Sequence, residues 1–311
     1  MKNISAMLII FIALDALMQK YSAKIEYLLQ KDSELSSLPE IYIRVSELME
    51  NENSTSEQIG GVVETDPALT ARILKMVNSA FYGFPKEITT ISQSIFILGR
   101  DRLRQILIGT MLGGVFGNMN NRVFSMNDYW YESVKTAILA RQLCSLSDIK
   151  FRSETLFTAG LLHKIGRLIM VERMPNESLL VQNAIDVDDA NIFEAERRIF
   201  GFTHCELGAA FISKWGLPQI LSEIARHYED PEQAEEFNQE ARFIHLASHL
   251  TFLVSTLEVE EVEYALEDIP GWQMSGLYSE QITEACIFAE EQVYEVMDSL
   301  GMGTLRIEDD D

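Results

Sequence analysis

Histidine is scarce in this chain of 311 residues, with only five copies, so the position of each is informative. A neutral imidazole ligates metals and exchanges protons near neutral pH. His163 lies between Leu162 and Lys164, and His204 between Thr203 and Cys205. His227 closes the segment that follows Pro218. His245 and His249 are four residues apart, a spacing that puts both on one helix face and can hold a transition metal. No carboxylate or cysteine stands beside that pair, and Leu246 and Ala247 read as core, so the pair is assigned structural or surface roles.

Other reactive groupings are sparse. Cys144, Cys205 and Cys286 are odd in number and widely scattered, without a CxxC pair. They suggest neither a disulfide framework nor a cysteine zinc site, and they fit a reducing cytoplasm. Arg100, Arg102 and Arg104, with Asp101 between them, form the densest basic cluster. A solvated face is its plain reading, and contact with a phosphate or nucleotide its sharper one. There is no glycine-rich phosphate loop, GxSxG elbow or Cys-His-Asn arrangement. Gly60-Gly61 and Gly113-Gly114 are too sparse to cradle phosphates and suit close helix packing.

The elements that must position these residues read as helices. Asp66-Pro67 pairs a capping carboxylate with a proline at the first helical position. Leu69, Ile73, Leu74, Val77 and Phe81 follow at 3–4 spacing, with Ile73 expected in the core. Pro39 opens a helix with Ile41, Val45, Leu48 and Met49 on one face. Thr55 to Gln58 and Thr203 to Glu206 are candidate capping boxes. The second leads through Leu207, Phe211 and Trp215 to a stop at Gly216. A helix starts at Met126 or Asn127, Ser153 is expected to cap the next, and Ser279 the last. That last helix carries Ile282, Cys286, Ala289, Val293, Val296 and Leu300 as an apolar stripe. Alternating strand patterns between turn dipeptides are missing.

Charge divides the chain. The formal net charge is −23. From Glu229 onward, 22 Asp and Glu face only Arg242 and Arg306, giving −20, while the preceding residues total −3. Such a protein repels nucleic acid and anionic membranes. The acidic end reads as a solvated face on ordered helices, or as a docking surface for a basic partner. Glu284, Glu290, Glu291, Glu295 and Asp298 are expected to turn to solvent. The apolar run Ala6 to Leu14 is interrupted by Asp15 and is shorter than the roughly 20 residues a membrane span needs. A helix packed on the body, or a misassigned start codon, is preferred there to a signal peptide.

Several segments together resemble a known family. Leu38-Pro39-Glu40-Ile41, the run DPALTARIL from Asp66 to Leu74, and Asn78-Ser79-Ala80-Phe81-Tyr82 resemble the start of the HDOD domain. Ile91 to Ile95, Leu98-Gly99, Ala159 to His163, and His204 with Gly208, Trp215 to Pro218 and His227 continue the match. The resemblance spans roughly residues 33–250. It implies an all-α, compact multi-helix bundle of the HDOD/HD-like type, flanked by an N-terminal helical extension over 1–32. An acidic C-terminal helical segment, 251–311, would pack on the HDOD body.

The HDOD family is similar to the HD phosphohydrolases in scaffold and is a bacterial signalling and regulatory module. In the enzymatic relatives an HD pair, further histidines and a late Asp hold divalent metals that polarise a phosphate and generate hydroxide. Here His163 matches the His of the pair, but Lys164 replaces its Asp, a change from −1 to +1 beside the cation site. The upstream ligand falls at Trp130 to Ser133, which offers Glu132 and no His, and the late Asp falls where Ser248 stands. His204 and His227 match later histidines. The resemblance thus implies a remnant polar cluster of His163, His204 and His227, with no catalytic residue, no cofactor and no firm metal.

The reading is a non-catalytic, cytoplasmic signal-transduction protein that contacts signalling proteins and binds neither nucleic acid nor membrane. The alternative is a metal-dependent phosphohydrolase acting on a nucleotide or phosphate ester, with a single divalent transition metal on those histidines. A third reading binds a small signalling nucleotide at Arg100, Arg102 and Arg104.

Overall fold

The computed structural model describes residues 19–30, 38–117, 119, 121–149, 153–188, 190–256, 266, 269 and 272–303. Helical ends sit largely where the sequence punctuates them. Helix α1 covers 19–30, and α2 runs Glu40–Glu50 behind Pro39. The Thr55–Gln58 capping box closes reciprocally at the start of α3, Ser56–Val63. Asp66 accepts the amides of Ala68 and Leu69 and starts α4, Pro67–Val77. Helices α5, Ile91–Leu98, and α6, Arg100–Phe116, follow. No strand occurs among the described residues.

The long helix α7, Met126–Leu146, is buried along most of its length and organises the rest. It packs against α8, Ser153–Leu162, and against α14, Asn238–Thr256. Between them come α9, Ile165–Arg173; α10, Pro175–Asp188; α11, Ile192–Ile199; α12, His204–Lys214; and α13, Gln219–His227. The acidic end contributes α15, Ser279–Leu300, which lies on α7, α4 and α6. Its stripe of Ile282, Cys286, Ala289, Val293, Val296 and Leu300 is fully buried. Close approach is possible because a Cβ on Gly113 would meet the Leu300 carbonyl oxygen at 2.0 Å. Helix α15 ends at Gly301, at φ 73°, a left-handed stop that glycine adopts without steric cost.

Several expectations need correction. Ser153 and Ser279 are the first residues of their helices rather than caps, and Tyr278 holds the cap position of α15. Leu74 is only half-buried, and Met76 joins Leu69, Ile73 and Val77 in the core instead. The boundary drawn at 250/251 falls inside α14. The segment 1–18 lies outside the described residues.

The carboxylates of α15 turn largely to solvent as expected, but three of them also bond to the body. Glu290 pairs with Lys135 and accepts the Tyr131 hydroxyl at 2.8 Å. Glu295 accepts the Ala80 amide at 3.3 Å, and Asp298 pairs with Lys75. Glu284, Glu290, Glu291 and Glu295 are exposed as expected and Asp298 is half-buried; Glu284 and Glu291 make no such contact among the described residues. The acidic helix is thus held by three charge-assisted contacts to the segments it covers, besides its apolar stripe.

The Lys135–Glu290 pair is asymmetric, with the lysine side chain 1% exposed and the glutamate 44%. Removing Glu290 strands an ammonium in the core, whereas removing Lys135 leaves a carboxylate that water can reach. Glu290→Gln should therefore destabilise the protein by about 3–5 kcal/mol, and Lys135→Met should cost less. Urea denaturation of the two variants checks the order.

Candidate functional site

Helix α13 explains which histidines meet. Its buried face is Leu221, Ile224 and Ala225, and the next position on that face is Tyr228. His227 is turned away, with Nε2 at 3.7 Å from Glu223 on the same helix. The expected trio is therefore corrected: His163 and His204 come together, and Tyr228 stands between them where His227 was expected.

His163 ends α8 and is fully buried. Its Nδ1–H donates to the Gly160 carbonyl at 2.6 Å, its ring meets Tyr228 edge-on at 4.9 Å, and Nε2 has no hydrogen-bond partner. Burial first, then the adjacent Lys164 charge, holds its pKa well below the ordinary histidine value. The crossing of α9 and α12 brings this turn against His204. A Cβ on Gly166 would lie 2.0 Å from the His204 carbonyl oxygen, so only glycine fits.

His204 is the first residue of α12, set by the Thr203–Glu206 capping box. Its amide donates to Glu196 at 2.8 Å, its Nδ1 lies 2.8 Å from the same carboxylate, and its Nε2 lies 2.7 Å from the Tyr228 hydroxyl. Glu196 is only 2% exposed. Burial is the largest single effect and works against charge on His204, but the Glu196 carboxylate and, after it, Cys205 together outweigh it, and the pKa rises to about 10. The ring is an imidazolium at neutral pH, with both nitrogens donating. Burial pushes the Tyr228 hydroxyl well above its ordinary value, so it stays protonated.

His204 and Tyr228 border a pocket of about 540 Å³ between α7, α9, α11 and α14. Glu132, Lys164, Ser248 and His249 line it, so the degenerate positions do share one site. Lys164 and Glu132 are paired with each other at 2.9 Å. His249, assigned above to a structural or surface role, reaches the pocket while its Nδ1–H donates to the His245 carbonyl at 2.9 Å. His245 is buried, with Nδ1 at 2.9 Å from the Tyr228 carbonyl. Glu229, also in the lining, has a raised pKa because burial exceeds the opposing pull of His249, His204 and Lys164.

Sequence reasoning missed Glu196, Arg167 and Tyr228. Glu196 carried a readable signal: it sits four residues after Ile192, on the apolar side of α11 beside Ala195. Arg167 donates to Gln182 at 3.3 Å and lies 5.0 Å over the Phe124 ring, on the pocket wall.

The donor set does not fit a dinuclear metal centre. An imidazolium has no lone pair for a metal, and Lys164 places a fixed positive charge on Glu132. Among the described residues, no three His, Cys, Asp or Glu side chains group so as to hold a metal ion.

The chain belongs to the HDOD domain family, whose model matches residues 35–231. It is 24% identical over 241 residues to an uncharacterised protein of Treponema pallidum (strain Nichols). That match covers 76% of this chain and 45% of the relative, so the chain spans less than half of that protein. Three crystal structures share the fold. One, from Shewanella amazonensis SB2B and provisionally named a phosphohydrolase, has a TM-score of 0.74 at 24% identity, covering 92% of this chain and 98% of its own. An HDOD domain protein of unknown function from Geobacter sulfurreducens has a TM-score of 0.73 at 20% identity, covering 93% and 100%. A third, from Marinobacter aquaeolei VT8 and provisionally named a signal transduction protein, has a TM-score of 0.68 at 22% identity. It covers 93% of this chain and 66% of its own. No helix among the described residues is long and apolar enough to cross a membrane.

A histidine whose pKa is raised on folding stabilises the protein fully below its unfolded value and loses that contribution as pH rises through the folded one. For His204 the window runs from about 6.5 to about 10. Urea midpoints should fall across this interval in the parent protein. They should fall less steeply in Glu196→Gln, which starts lower by about 3–5 kcal/mol for breaking a buried pair.

Proposed function

We propose that this chain is a non-catalytic regulatory member of the HDOD family, acting in signal transduction through protein–protein contacts. The observation that carries this reading is the Lys164–Glu132 ion pair in the pocket. A carboxylate that could have faced a divalent cation faces an ammonium instead, and His204 is committed to Glu196 and Tyr228. Hydrolysis of a phosphate ester by this scaffold would need a metal-polarised phosphate and a hydroxide nucleophile. Nothing in the pocket's charge arrangement provides for either. The provisional signal-transduction name of the Marinobacter relative points the same way. The exposed carboxylates Glu284 and Glu291 on α15 offer a contact face for a basic partner.

One observation favours the alternative of a metal-dependent phosphohydrolase, the name provisionally given to the Shewanella relative. The Nε2 of His163 is buried without a hydrogen-bond partner, a bare lone pair beside the pocket. A single nitrogen donor holds a divalent transition metal weakly, and the neighbouring ammonium weakens it further.

Elemental analysis of protein purified without chelator decides between them. The proposal expects substoichiometric metal and no manganese-dependent hydrolysis of bis(p-nitrophenyl) phosphate. About one metal ion per chain together with turnover would overturn it. Lys164→Asp combined with Ser248→Asp should raise manganese affinity over the parent protein in a calorimetric titration, because it returns two carboxylates to the pocket.

A further inference from the structure

A second and larger cavity, of about 920 Å³, lies where the N-termini of three helices converge. The first turns of α6, α8 and α13 all line it. Each N-terminus carries unsatisfied backbone amides and the positive end of a helix dipole. Two of the three have no capping side chain. Gly99 precedes α6 and Pro218 precedes α13, and neither makes a side-chain cap bond. Such ends are ready to receive an anion.

The side chains add to the same field. Arg100, Arg102 and Arg104 all border the cavity. Arg100 is tied down, donating to the carbonyls of Asn51 at 2.9 Å and Met49 at 3.3 Å, and to Ser54. It fixes the start of α6 against the end of α2 while keeping its charge there. Arg104 has a buried Nε with no hydrogen-bond partner. Among the described residues Arg102 pairs with Glu154, at 3.5 Å, and that carboxylate is already held by Arg141 at 3.1 Å. Asp101 and Glu154 add two opposing charges to the lining, the second of them paired with Arg141. In a chain with net charge −23, this concentration of arginines runs against the overall field.

Two further features are not explained by packing. Gln105 is only 7% exposed, lines the cavity, and its Oε1 has no hydrogen-bond partner. A buried amide oxygen left unpaired is costly, and a ligand with an O–H or N–H donor would recover that cost. Phe237 also lines the cavity, at φ 59°, a left-handed conformation that disfavours an aromatic residue. Its ring gives the cavity an aromatic wall.

We propose that this cavity binds an organic phosphate of the nucleotide class. The phosphate sits at the N-termini of α6 and α13 beside Arg102 and Arg104, a sugar hydroxyl or base N–H donates to Gln105, and the base packs against Phe237. An inorganic anion alone would leave Gln105 and Phe237 without a role. This goes beyond the regulatory reading: it gives the module a small-molecule input at a site separate from the histidine pocket, and it stands if that reading fails.

Isothermal titration calorimetry on the full chain tests it, with AMP, GMP, CMP, UMP and inorganic phosphate as probes. Saturable binding is expected for at least one nucleotide, tighter than for phosphate and weakening with salt. Arg102→Gln and Arg104→Gln should each reduce nucleotide affinity about tenfold, as loss of a charge-assisted hydrogen bond does. Gln105→Leu and Phe237→Ala should weaken the nucleotide and leave phosphate unchanged. Arg102 is half-exposed, so its variant reports on binding even where a buried substitution impairs folding. Three results would overturn the proposal: no saturable nucleotide binding at millimolar concentration, binding indifferent to both arginine variants, or phosphate bound as tightly as any nucleotide.

Discussion

The carboxylate of Glu196 is almost wholly out of water, and its charge has to be answered inside the protein. It is met by the ring and the backbone amide of His204 together, so one carboxylate fixes both the start of α12 and the protonation of its first side chain. Tyr228 then accepts the remaining ring proton and lies edge-on to His163. This chain of contacts joins α11, α12 and the end of α13 around the turn that carries His163 and Lys164. Buried ion pairs of this kind add little net stability over apolar packing, but breaking one is costly. Their effect is to hold one arrangement, and here that arrangement commits the His204 imidazole to Glu196 and Tyr228.

The two cavities differ in how their charge is spent. In the histidine pocket, Lys164 answers Glu132 and His204 answers Glu196. What remains is a polar site with internally paired charges. At the junction of α6, α8 and α13, Arg104 keeps an unpaired Nε, Gln105 an unpaired oxygen, and two helix N-termini lack capping side chains. A surplus of donors with few acceptors is the signature of a site built for an anion. Under the proposed function, the ancestral-type pocket serves as framework and the junction supplies recognition.

Much of the fold was legible because it rests on local signals. Asp66-Pro67 and the two capping boxes are read from three or four consecutive residues, and each does in the structure what its spacing predicts. The stripe on α15 was equally plain. Long-range pairing was not. Nothing local distinguishes Glu290, which reaches Lys135, or Glu295, which reaches the Ala80 amide, from Glu291, which lies next to the first and one turn before the second and makes no such contact among the described residues. The histidine site was half legible. His163, Lys164, Glu132 and Ser248 were placed together by resemblance, whereas His227 was included although the 3.6-residue period of Leu221, Ile224 and Ala225 already pointed to Tyr228. Glu196 stands beside Arg197 and Arg198, where a carboxylate reads as surface charge, yet it falls on the apolar side of its helix.

The central claim is that a protonated His204, paired with Glu196, replaces metal chemistry at the heart of this site. Nitrogen-15 NMR of histidine side chains measures it directly, with His204→Gln used to assign the signal. The account predicts that both ring nitrogens of His204 carry protons at pH 7.5 and that the ring releases its proton only near pH 10. A neutral His204 at pH 7.5, with one nitrogen bare, would contradict it.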